Sequence, residues 1–266
     1  MRILTIINLK GGTAKTTTVI NLALNMATMH NKRVLIVDND IQGNVSKFFD
    51  VHSYDEKGVE EIYRNGAVNT SELIRPSSRT GLDIIPANMN LDAAATDLML
   101  TVGTNQITRL RDALRQVEGE YDYCLIDCPP GVGINVLNAL AAADDVMIPI
   151  KIDKCALDGM EELAEVIEEI RQFNPSLKII KCLVTMFTKD IAVIKGEDAL
   201  KESKYSTFTT HIRYSKRVVD WTLEKKRSLK EVTPRSAATR DYKNLTLEYM
   251  DVTIGGIANG KDRNRR

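Results

Sequence analysis

Residues 10–17 read Lys10-Gly11-Gly12-Thr13-Ala14-Lys15-Thr16-Thr17, set between the apolar run Ile3–Ile7 and a segment of helical periodicity. A strand, a glycine-bearing turn and a helix N-terminus in that order build a phosphate cradle. Backbone N–H groups converge, the helix dipole adds partial positive charge, and Lys15 reaches the β- and γ-phosphates. Thr16 offers a hydroxyl to Mg²⁺. Gly11, Gly12, Thr13, Ala14, Lys15, Thr16 and Thr17 are thus the candidate nucleotide-binding segment. An ordinary phosphate loop does not need Lys10, five residues before Lys15. The bland alternative, a glycine-bearing turn with surface lysines, leaves the flanking strand and helix unexplained.

Two carboxylate segments follow. Val34–Val37 ends in Asp38-Asn39-Asp40-Ile41-Gln42-Gly43-Asn44, and Tyr121–Ile126 runs into Asp127-Cys128-Pro129-Pro130-Gly131. Both aspartate clusters fall at the C-terminal ends of predicted strands, where open α/β sheets bind their ligands. Asp127 has the position of a Walker-B carboxylate, holding Mg²⁺ directly or through water. A lone aspartate after a strand is commonly a helix cap. Three of them beside a phosphate loop favour the metal reading.

Together, the Lys10/Lys15 pair and the Asp38–Asn44 and Asp127–Gly131 segments resemble the ParA/MinD family of deviant Walker-A ATPases, and within it the ParA-type partition ATPases. The likeness continues through Pro149–Met160 and Leu183–Met186 to Ser236–Ala238, so it spans nearly the whole chain. It implies a doubly wound, mostly parallel sheet with helices on both faces. It implies that Lys10, the signature lysine, crosses the interface of an ATP-sandwiched homodimer, that Asp40 orients the attacking water, and that Asp38 stands near Mg²⁺. Met186 falls in the segment that lies near the adenine in relatives. Ala14 departs from the pattern, which has glycine there, as do Leu9 (commonly polar) and Ile41 (commonly proline). If position 14 requires φ > 0, alanine costs on the order of 1 kcal/mol; if not, it stiffens the loop.

The chain has 266 residues, 43% of them hydrophobic, which suits one α/β domain. We expect a single ATPase domain over 1–254 and a basic disordered tail over 255–266, where large apolar residues are nearly absent. Strands are predicted at 2–8, 33–38, 82–86, 122–127, 145–150, 178–185 and 207–212, with a helix from about Thr16 to Met29 and a short one around Gly58–Tyr63. Leu157, Met160, Leu163, Ala164, Ile167 and Ile170 form an apolar helical stripe, as do Ile107, Leu110, Leu114 and Val117. Both are read as core.

Cys124, Cys128, Cys155 and Cys182 show no C-x-x-C spacing and suit buried thiols in a reducing compartment. His30, His52 and His211 form no cluster. The chain opens without a secretory pattern, and no apolar run reaches the ~20 residues of a membrane span. The tail also lacks the amphipathic membrane-targeting helix of MinD-type members, so a membrane partner is not expected. The localisation expected is cytoplasmic, on the nucleoid when ATP is bound.

Overall charge is balanced, 36 basic against 36 acidic residues. Residues 201–266, however, hold 16 basic and 8 acidic side chains. Lys216, Arg217, Lys225, Lys226, Arg227 and Lys230 supply much of that excess. Such a run is often only a solvated face. The resemblance adds that basic residues of this region contact DNA without sequence preference in ParA-type relatives, with Arg213 at a matching position and Lys189 a looser match. It implies a slow ATPase using ATP and Mg²⁺, stimulated by a ParB-type centromere-binding partner. Two alternatives stay open: a positioning ATPase for a protein assembly, and an ATP-gated binding protein with little turnover. A metal-cluster carrier on the same core would need clustered cysteines, which the sequence lacks.

Overall fold

Strand β1 (Arg2–Ile6) runs into the phosphate loop and helix α1 (Lys15–His30). The computed structural model describes residues 1–65, 68–101, 106–153, 156–222 and 227–261. After α1 come β2 (Val34–Asp38), α2 (Asn44–Phe49) and α3 (Glu60–Asn65), then β3 (Arg75–Pro76), β4 (Leu82–Ile85) and α4 (Asn90–Leu100). α5 (Arg109–Arg115), β5 (Tyr123–Asp127), α6 (Ile134–Ala142), β6 (Asp145–Lys151), α7 (Ala156–Ile170) and β7 (Lys178–Thr185) continue the alternation. α8 (Ile191–Glu202), α9 (Lys216–Thr222), α10 (Leu229–Val232) and α11 (Ala237–Lys261) complete it.

The strands form one sheet in the order β3-β4-β2-β5-β1-β6-β7. All neighbours are parallel except β3, which pairs antiparallel with β4. Parallel sheets bury both faces, so alternate residues of one strand feed two cores. Leu35, Val37, Cys124 and Ile126 point to a core built with α3 to α7. Val34, Ile36, Tyr123 and Leu125 point to the other, with α1, α2 and α11. The stripe residues Met160, Leu163, Ile167 and Ile170 are buried in the first core, as are Leu110, Leu114 and Val117. Cys124, Cys128 and Cys182 are buried free thiols; Cys155 lies outside the described residues. No helix among the described residues is long and apolar enough to cross a membrane.

Register fixes the site. Ile6 and Asp38 are both aligned with Asp127, so β1, β2 and β5 end at one edge. From β1 the chain moves to β2 on one side and later to β6 on the other. The loops after these strands therefore open around a topological switch point, the usual crevice for ligands in open α/β sheets.

One expectation is corrected. Residues 207–212 are not a strand; they make only an isolated bridge, Cys182 with Thr207, and a second bridge joins Phe187 to Arg213. The ladder is interrupted because the N–H groups of Thr209 and Thr210 turn away to the Glu248 carboxylate, at 2.8 and 2.9 Å. The backbone of α11 runs to Lys261. Residues 262–266 lie outside the described residues.

Candidate functional site: a phosphate loop with three carboxylates

The loop between β1 and α1 is shaped by two left-handed residues, Gly12 (φ 72°) and Ala14 (φ 69°). Glycine adopts that region freely; alanine does so at a cost of about 1 kcal/mol. Position 14 therefore carries strain, and the stiffening alternative is excluded. A Cβ at Gly11 or Gly12 would meet nothing within 4 Å, so the space before the loop is open to a ligand.

Lys15, the first residue of α1, is buried and turns back into the loop. Its Nζ donates to the carbonyls of Asn8 (3.1 Å) and Lys10 (2.9 Å). Burial lowers its pKa, against the pull of Asp127 and Asp40. Lys10 behaves differently. Its side chain is about one-third exposed, and its Nζ meets Asp153 Oδ1 at 2.9 Å. A Cβ on Gly159 would sit 3.7 Å from its Cε. The two lysines thus part company: one fills its own loop, the other stands at the rim.

Thr16 Oγ1 donates to Asp127 Oδ2 at 2.7 Å. The other oxygen, Asp127 Oδ1, is buried with no hydrogen-bond partner. Burial first, then the nearby charges of Asp38 and Asp40, push the Asp127 carboxyl well above its ordinary range. An orphaned oxygen among crowded carboxylates, beside a hydroxyl already aimed at one of them, fits a divalent cation. Among the described residues no three His, Cys, Asp or Glu side chains form a ready-made cage. Mg²⁺ does not need one; it takes one or two protein oxygens with water and phosphate.

Asp38 is fully buried. Its Oδ2 accepts from Ser46 N (2.8 Å) and Ser46 Oγ (2.6 Å), which ties β2 to α2. Burial, only partly offset by those bonds, raises its pKa to about 7. The turn into α2 needs Gly43: its φ is 58°, and a Cβ there would meet Ala87 O at 2.6 Å. Asp40 Oδ1 accepts from Gln42 N at 2.9 Å, which orients this buried carboxylate within its own turn.

On one flank of the loop lies a cavity of about 230 Å³ lined by Gly12, Ala14, Thr17, Met186, Ile212, Tyr242 and neighbours. Met186 itself is left-handed (φ 52°). Thr185 Oγ1 donates to Thr13 O at 3.1 Å and joins the end of β7 to the loop. Arg213 also lines this cavity, and its guanidinium grips Asp241 of α11 in a bidentate pair at 2.9 and 2.5 Å. Asp241 therefore offsets the charge of Arg213 locally.

The other basic residues lie outside the phosphate loop. Lys189, Lys216, Arg217 and Arg227 are exposed. The Phe187–Arg213 bridge brings the chain near Lys189 and Lys216 together, since each follows it by two or three residues. Lys225 and Lys226 lie outside the described residues. Sequence reasoning missed Asn8, Ser46, Asp153 and Asp241. Their contacts follow no local periodicity: Asn8 serves Lys10 N and the Pro149 carbonyl, Ser46 serves Asp38 and Ala87 N, and Asp241 serves the Arg213 backbone and guanidinium.

Residues 1–179 match the AAA domain family. The chromosome partitioning protein ParA of Myxococcus xanthus is 41% identical over 189 residues, 70% of this chain and 65% of that protein. The sporulation initiation inhibitor protein Soj of Bacillus subtilis is 37% identical over 205 residues, 76% of this chain and 79% of that protein. The crystal structure of cobyrinic acid a,c-diamide synthase from Mycobacterium smegmatis, with bound ADP and magnesium, superposes with a TM-score of 0.77 at 28% identity and covers 92% of each chain. With this phosphate loop, this sheet order and these relatives, the chain belongs to the ParA/MinD-type ATPases of the AAA domain family.

Proposed function

We propose that the protein is a DNA partition ATPase that switches between monomer and ATP-sandwiched dimer. The division of labour between Lys15 and Lys10 carries this reading. A lysine needed only for its own nucleotide would turn into the loop as Lys15 does; Lys10 stands at the rim, where a second subunit's phosphates could meet it. In this scheme Lys15 and the loop N–H groups bind the phosphates, and the 230 Å³ cavity beside Met186 takes the base. Thr16 and Asp127 would hold Mg²⁺, with Asp38 close by, and the bound cation would neutralise phosphate charge. Asp40 orients the attacking water. The site supplies few charge-stabilising groups of its own, which suits slow turnover awaiting a ParB-type partner. A cation supplied in trans is worth ~10³–10⁵ in other phosphoryl-transfer enzymes.

Closure would set the basic surfaces of two subunits side by side and raise DNA affinity through two-point attachment. Lys189, Lys216, Arg217, Lys225, Lys226 and Arg227 are the proposed phosphate contacts, with Arg213 held at their margin by Asp241. The test measures DNA binding at fixed salt with no nucleotide, ADP or ATP, alongside light scattering. We expect DNA binding and dimers only with ATP. Lys10→Ala should lose both while still binding nucleotide, and Lys216→Ala with Arg217→Ala should keep the dimer and weaken DNA binding. ATP-driven dimers without DNA affinity would instead support a positioning ATPase. A Lys10→Ala monomer that hydrolyses ATP normally would refute the sandwich.

A further inference from the structure

Asn39 lies between the two aspartates of the 38–40 segment and is fully buried. An apolar side chain would fill that position more cheaply, because a buried amide costs stability unless its bonds are made. Here they are made, and nearly all lead to one place. Asn39 Nδ2 donates to Asn135 O at 2.9 Å, and Asn135 Nδ2 donates back to Asn39 O at 3.1 Å. Asn39 N donates to Asp127 O at 3.0 Å. Asn39 Oδ1 accepts from the hydroxyl of Tyr63, itself fully buried on α3. The Arg109 guanidinium of α5 in turn donates to the Tyr63 carbonyl.

We propose that Tyr63, Asn39 and Asn135 form a clasp that positions Asp40 for hydrolysis by locking the 38–40 segment to the 127–135 segment. Asp40 follows Asn39 by one bond, and Asp127 starts the segment that Asn135 ends. With the clasp closed, the water-orienting and metal-holding carboxylates move as one body. None of the three clasp side chains is assigned a contact with nucleotide, so they are positioning residues. Misplacement by about 1 Å costs on the order of 100-fold in rate, whereas binding through the loop and the base cavity is untouched. The proposal rests on the ATPase reading above.

The test is steady-state ATP hydrolysis with Mg²⁺, together with the melting temperature, for the full chain and three variants. Tyr63→Phe deletes one hydroxyl and keeps the volume. Asn39→Leu with Asn135→Leu removes both amides but leaves the two backbone carbonyls they served, and the Tyr63 hydroxyl, without those donors and acceptor, so this variant should also melt lower. Tyr121→Phe is the reference: its hydroxyl bonds Asp83 Oδ2 at 2.9 Å, on the opposite edge of the sheet from the loop. We expect kcat to fall about 3- to 10-fold in Tyr63→Phe and about 10- to 100-fold in the double variant. KM for ATP should stay within about twofold, and in Tyr63→Phe melting should fall no further than in Tyr121→Phe. Lower melting with unchanged kcat, or a raised KM with unchanged kcat, would overturn the clasp and leave the ATPase reading standing. An unmodified chain that does not hydrolyse ATP would overturn both.

Discussion

Two residues of the nucleotide loop region hold conformations or charges that the rest of the fold must impose. Ala14 is left-handed where glycine would rest unstrained. Ala14→Gly should therefore stabilise the nucleotide-free chain by up to about 1 kcal/mol, a rise of about 2 °C in Tm for a domain of this size, read by calorimetry. Asp38 is the second. With its folded pKa raised to about 7, it keeps a proton that the unfolded chain, with a value of about 3.9, has released. Its contribution favours the fold at acid pH and is lost as pH climbs through that interval. Asp38→Asn should flatten the decline in Tm between pH 5 and pH 8, measured without Mg²⁺ or nucleotide. At this scale the sequence was legible wherever a motif demands a residue type, as at Lys10, Lys15, Thr16 and Asp127. It was silent at Asn39 and Tyr63. Their partners lie 96 and 24 residues away, and an asparagine carries no periodicity that would announce them.

Among the elements, six of the seven expected strands form, because each is an apolar run in a sheet buried on both sides. The seventh, 207–212, has a suitable composition but loses two amides to Glu248, a competitor from α11 that no local pattern could reveal. β3 went unseen for the opposite reason: two residues have no period, and Pro76 suits only an edge. The Glu248 contact has a measurable consequence. Burial works against its charge, but the bonds from Thr209 and Thr210, with Lys181 beside them, hold the carboxyl below its usual range. Hydrogen bonds to a charged group contribute about 1.5–3 kcal/mol. Glu248→Ala should cost a similar amount in urea unfolding and speed amide exchange at Thr209 and Thr210. Because Arg213 closes the same segment onto Asp241, looser packing there should also raise KM for ATP.

For the whole molecule, the sheet order gathers the loops after β1, β2 and β5 at one edge, and the basic C-terminal quarter returns to that edge through Arg213 and Tyr242. If an ATP-bound dimer presents two such surfaces, the slope of log DNA affinity against log salt should be about twice that of the Lys10→Ala monomer. A titration at four salt concentrations would measure it. Lys15 adds a practical consequence of a different kind. Its ammonium donates to the carbonyls of Asn8 and Lys10, on either side of the turn, and so braces the loop. Lys15→Ala would then remove a structural brace as well as a phosphate ligand. A chain altered in this way is a poor substitute for the nucleotide-free protein, and experiments that need an empty site are better served by omitting ATP than by deleting the lysine.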